Sequence, residues 1–158
     1  MERRSFLKGF GAALAASAVV PAAVMAADEK KAKVAGPNEM NYETALKAIT
    51  GGKPVTPSGK VEFKAPEIAE NGAVVPIKIT VESPMTEKDY VKAIHVLATK
   101  NSNVRCADIF LSPMNGKAHF GTRIKLGGTQ DVVVIAEMSD GTFLSASQNV
   151  KVTIGGCG

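Results

Sequence analysis

This sequence predicts an all-β fold, an immunoglobulin-like β-sandwich preceded by one short N-terminal helix. Three observations carry that reading. The composition includes 15 Gly but no Trp, 2 Tyr and 6 Phe, and its many valines suit pleated faces joined by tight turns. Apolar and polar residues alternate along several runs, most clearly Val75, Ile77, Ile79 and Val81 against Pro76, Lys78, Thr80 and Glu82. Turn signals break these runs at intervals of roughly 8–12 residues, the spacing of a sandwich.

The elements follow in order. Residues 28–40 are polar, contain Gly36-Pro37 and read as a linker. Tyr42, Ala45, Leu46 and Ile49 then fall at helical spacing, with Asn41 to cap the start and Gly51-Gly52 to stop it. Pro54 and Pro57 prevent its continuation. The strand-like runs are residues 61–65, 75–81, 93–98, 107–111, 118–126, 131–138, 142–146 and 150–154. Asn71-Gly72, Pro113 to Gly116, Gly127-Gly128 and Asp140-Gly141 mark turns between them, the last with hairpin chemistry.

Ahead of this body lies an export signal, residues 1–27. Arg3-Arg4 precedes Phe6-Leu7 and Lys8, a weakly apolar Gly/Ala-rich stretch follows, and small residues at Ala26 and Ala27 offer the cleavage site. This pattern predicts twin-arginine (Tat) export of a folded protein to the periplasm. The apolar stretch is too short to serve as a membrane anchor. The net charge of +4 includes three bases and one acid from this segment, leaving about +2 on the mature chain. With neither a basic helix nor an aromatic stacking platform, nucleic acid is not the expected partner.

Catalytic and metal motifs are missing from the sequence. His95 and His119, with Cys106 and Cys157, lack metal-ligand spacing, and no hydrolase elbow, phosphate loop or dinucleotide fingerprint occurs. No cofactor is expected. Lys117, His119, Arg123 and Lys125 share the outward phase of one strand; they are either a solvated sheet face or a basic stripe for an anion, and His119 is a candidate to lower the pKa of a nearby thiol.

The tail is the most distinctive stretch. Gly155-Gly156-Cys157-Gly158 follows the run Val150 to Ile154, so Cys157 is flanked by glycines at the end of the last strand. Read as a flexible arm over residues 155–158, it would extend about 12 Å at 3.3–3.6 Å per residue. Cys106 is the alternative partner for that thiol. A Cys106–Cys157 disulfide would make the chain a non-catalytic binding module, although three glycines at a free end constrain little. A thiol redox enzyme is the third class, and it would need a resolving cysteine and a positioned base near the sulfur.

Together, these features closely resemble the SoxY family of sulfur carriers. The resemblance runs over most of the mature chain: Ala45-Leu46, Gly59 to Pro66, Glu70-Asn71-Gly72-Ala73, Thr122 to Leu126, Ala136 to Gly141, and most specifically Val150 to Gly158. It departs from the family at the end, where Gly158 alone follows the cysteine and two glycines are typical. The resemblance implies a sandwich carrier domain at 41–154 and a carrier with no catalysis of its own. Cys157 would be the attachment point and Gly155, Gly156 and Gly158 its arm. Implied partners are a small SoxZ-like sandwich subunit, a SoxAX-like c-type cytochrome enzyme that attaches thiosulfate, a SoxB-like manganese hydrolase and, in a further branch, a sulfane dehydrogenase.

Overall fold

The computed structural model describes residues 39–156. The export signal at 1–27, most of the linker at 28–40, and Cys157 and Gly158 lie outside that range.

Helix α1 (Tyr42–Thr50) starts at Asn41, whose side chain accepts the Thr44 N–H at 2.7 Å, and stops at Gly51, which takes φ 62°. Both ends use residues suited to them: an Asx cap for orphan N–H groups, and a glycine in the left-handed region. Met40, at the end of the linker, bridges Asn103 and packs beside the helix.

The strands among the described residues are β1 (Val55–Pro57), β2 (Val61–Lys64), β3 (Ile68–Asn71), β4 (Val75–Val81), β5 (Val91–Ala98), β6 (Arg105–Phe110), β7 (Ala118–Ile124), β8 (Gln130–Met138) and β9 (Phe143–Ile154). They form two sheets. The larger runs β1-β9-β8-β5-β6, with β3 also paired to β9; the smaller runs β2-β4-β7. Pairing within the chain's consecutive hairpins is antiparallel, whereas β1 and β3 lie parallel to the two ends of β9.

Burial explains the layering. Val75, Ile77, Ile79 and Val81 of β4 face a core shared with Ile94, Val96, Val132, Val134 and Ala136 of the larger sheet. Strands β5 and β8 are apolar on both faces, so neither shows clean alternation. Their other face, through Leu97 and Ile135, meets Ala45 of α1 together with Val104 and Phe143. The helix therefore covers the outside of the larger sheet. The smaller sheet leaves its outer face to solvent, which gives β4 its legible period of two.

The expected sandwich with one short helix is the architecture found. Two details differ from the sequence expectation. Residues 142–146 and 150–154 belong to one strand, β9, because the polar stretch between them is answered by neighbours: Gln148 exchanges two hydrogen bonds with the Ala65 backbone, and Asn149 reaches Asp131. Strands β1 and β3 were not anticipated. They are short, lie at a sheet edge and carry no alternating burial, so only their main-chain pairing with β9 marks them as strands.

Candidate functional site

The last strand leads to the tail, and β3 determines how it arrives there. Asn71 is the register partner of Ile154. One residue later, the Gly72 N–H donates to the Ile154 carbonyl at 2.7 Å and the Gly72 carbonyl accepts the Leu126 N–H at 2.7 Å. The Gly156 N–H in turn donates to the Leu126 carbonyl at 2.9 Å. Asn71 closes the turn, its side chain accepting the Ala73 N–H at 2.9 Å. Thr129 adds a further hold, accepting the Val152 N–H at 3.0 Å.

The glycines are needed here for close approach. A Cβ on Gly156 would stand 2.6 Å from the Ala73 nitrogen, and one on Gly155 would stand 2.5 Å from the Gly127 oxygen. A Cβ on Gly72 would collide with the Leu126 oxygen. These distances are below van der Waals contact, so the main chains of the tail, the β3–β4 turn and the residues after β7 pack directly on one another. The arm expected to hang free from Gly155 is thus seated through Gly156. Cys157 itself lies outside the described residues.

A basic groove lies nearby. Lys64, Pro66, Pro76, Lys78 and Arg123 line an open depression of about 780 Å³ on the outer face of the smaller sheet. Arg123 is three residues, or ~10 Å of strand, from Leu126. His119 stands seven residues from Leu126, ~23 Å along the strand, and its Nδ1 is 3.0 Å from the Thr80 hydroxyl. It is therefore far from the seat of the tail and is not placed to tune a thiol there. Lys117 and Lys125 lie just beyond the two ends of β7, both exposed. All four basic residues are exposed, and the Arg123–Lys125 end of the row is the one beside Leu126, whose carbonyl holds Gly156.

Cys106 has a free thiol on β6. Burial pushes its pKa up to about 11, against weaker opposing hydrogen bonds from the Ala98 backbone and Asn101. Beside it, Asp108 accepts from His95 at 2.6 Å and from Arg105 at 2.8 Å. Burial alone would raise the Asp108 carboxyl, but these two partners outweigh it and hold its pKa below the ordinary value. With Phe110 edge-on to the His95 ring, this group reads as structural reinforcement of the β5–β6 pair.

Among known proteins, the family model of the sulfur oxidation protein SoxY matches residues 46–157. The chain belongs to the SoxY family. The structure of the sulfur carrier protein SoxY from Chlorobium limicola f thiosulfatophilum is 30% identical, with a TM-score of 0.60, over 71% of this chain and 96% of that one. A superoxide reductase (neelaredoxin) from Ignicoccus hospitalis is 14% identical, with a TM-score of 0.54, over 59% of this chain and 80% of that one. At that identity the likeness is one of fold alone. No curated protein matches. Membership of the SoxY family makes this chain a sulfur-oxidation carrier protein and associates it with the Sox system. The match extends through Cys157, the residue that the tail glycines lead to.

Sequence reasoning picked out Gly155 and Gly156 as part of the arm but missed what holds them. Asn71-Gly72 and Gly127-Gly128 read only as turns. The signal was present as glycine at the right positions, but nothing local says that these turns meet.

Proposed function

We propose that this SoxY protein carries sulfur covalently on Cys157 during thiosulfate oxidation and performs no turnover itself. The carrying observation is the family match running through Cys157, on a chain whose two preceding glycines are packed against the body. A carrier needs its nucleophile outside the fold, since a buried thiol is poorly ionised and cannot enter a second protein's active site.

The Cys157 thiolate and the sulfane sulfur of thiosulfate would form a new S–S bond, and the two electrons released would pass one at a time to c-type haem iron of a SoxAX-like cytochrome enzyme and on to its electron acceptor. Water then cleaves the bond to the sulfonate at a SoxB-like manganese hydrolase. Sulfate and two protons leave, and a cysteine persulfide stays on the arm. A sulfane dehydrogenase is the class of enzyme that would oxidise the remaining sulfur. Tethering keeps the intermediate at high effective concentration for each enzyme in turn. The lysines and arginine of the nearby groove favour an anionic cargo over a neutral one.

The same reading places the protein in the periplasm, exported folded by the twin-arginine route in company with a SoxZ-like sandwich subunit. Intact-mass measurement after incubation with thiosulfate and the conjugating enzyme tests the carrier role. An adduct on the terminal peptide that is absent in Cys157→Ser is expected. A chain that stays unmodified, or is bridged between Cys106 and Cys157, refutes it. Retention of Arg3→Lys/Arg4→Lys protein in the cytoplasm is expected for the export route, and normal export of that variant refutes it.

A further inference from the structure

We propose that Asn101 and Gln130 are positioning residues for the tail: with Gly72 they form a clasp that fixes Gly156, the residue before Cys157. The inference rests on the reading of Cys157 as the loaded residue.

Two buried amides are unusual in this interior. Asn101 is 8% exposed and Gln130 1%, and both side chains address the same short loop, residues 125–128. Asn101 Nδ2 donates to the Lys125 carbonyl at 2.8 Å, while its Oδ1 accepts the Gly127 N–H at 3.0 Å. Gln130 Nε2 donates to that same Oδ1 at 2.8 Å and to the Gly128 carbonyl at 3.1 Å. Its Oε1 accepts the Lys100 N–H at 2.8 Å, which ties the pair to the β5–β6 connection. The two side chains therefore hold main-chain groups of Lys125, Gly127 and Gly128.

What remains of the loop faces the tail. The Leu126 N–H and carbonyl go to Gly72 and Gly156, and the Gly127 oxygen borders Gly155. The Leu126 side chain is fully buried and cannot slide along the strand. Buried amides must have their partners. Here the partners are the backbone that seats the tail, so satisfying Asn101 and Gln130 and seating Gly156 are one arrangement. Gly72 completes it from the other side, donating to Ile154, accepting from Leu126 and leaving no room for a Cβ.

Amide hydrogen exchange on the full mature chain tests this. The Gly156 amide is expected to exchange at least ~10-fold more slowly than in an unstructured peptide. In Asn101→Ala and in Gly72→Ala it should approach the peptide rate, while β8 amides such as those of Val134 and Ile135 keep their protection. A merely structural loss would weaken β8 as well. Gly59→Ala, where a Cβ meets nothing within 4 Å, should leave Gly156 protected. If Asn101→Ala does not fold, Asn101→Asp replaces the Nδ2 donor to the Lys125 carbonyl and Cys106 Sγ with a carboxylate oxygen while keeping the acceptor for Gly127, and Gly72→Ala leaves the amide pair untouched. Exchange of Gly156 at the peptide rate in the parent, or retained protection in both Gly72→Ala and the Asn101 variant, overturns the clasp. The thiosulfate adduct on Cys157, measured in the same parent sample, reports on the carrier role separately, so failure of one is not mistaken for failure of the other.

Discussion

The two cysteines should differ sharply in reactivity, and the difference should depend on pH in a way that the burial of Cys106 dictates. Alkylation by iodoacetamide, followed by mass mapping of both peptides over pH 7 to 10, is the assay. The Cys106 thiol has its pKa pushed up to about 11 by burial. An exposed thiol ionises near 8.5, so at pH 8 its thiolate fraction exceeds that of Cys106 roughly 240-fold. Thiolates of higher pKa are better nucleophiles by a Brønsted slope of about 0.4–0.5, which returns a factor of ~10–18 and leaves a net advantage of roughly 15- to 25-fold. Restricted access to a half-buried sulfur adds to that. The ionisation part should shrink from roughly 240-fold at pH 8 to about 11-fold at pH 10, where the exposed thiol is saturated and Cys106 is still gaining thiolate. Labelling of Cys106 in the native protein as fast as Cys157 at pH 8, or a ratio independent of pH, would refute the reasoning.

Other perturbations follow from particular contacts. Asn41→Ala removes the cap on the Thr44 N–H and should cost about 1 kcal/mol, read as a lower urea midpoint at unchanged slope. Ile79→Ala opens a cavity at a fully buried site on the middle strand of the smaller sheet and should cost ~2–5 kcal/mol in the same titration. The Asp108 carboxyl is held below its ordinary value of 3.8, so its contribution to stability is fully present above that pH. It is lost as pH falls through the lower folded value. Acid unfolding of Asp108→Asn should accordingly lack that share of the dependence on pH below ~3.8, and an unchanged acid limb would show that Asp108 plays no part in it.

Much of this protein is written locally in its residues. The helix could be read because Asn41, the spacing of Tyr42 to Ile49, and Gly51 act within a few residues of one another. Strand β4 could be read because one face is wet and the other dry, which puts burial directly into the alternation of Val75 to Val81. Family membership was legible for a similar reason, since the tail and the turns before it are short contiguous motifs. Tertiary structure decided the rest, wherever the partner of a backbone group lies far along the chain. Strands β1 and β3 exist only because β9 offers parallel partners at its two ends. The break expected near Ser147 vanishes because Gln148 finds the Ala65 backbone 83 residues away. Asn101 and Gln130 look like ordinary loop polar residues until folding buries them behind Leu126. The residues alone say that a thiol follows two glycines after the last strand of a β domain. That Gly72, Leu126 and Gly156 pack on one another came only with the tertiary fold, because hydrogen bonds and close approach between distant glycines leave no pattern in any one stretch.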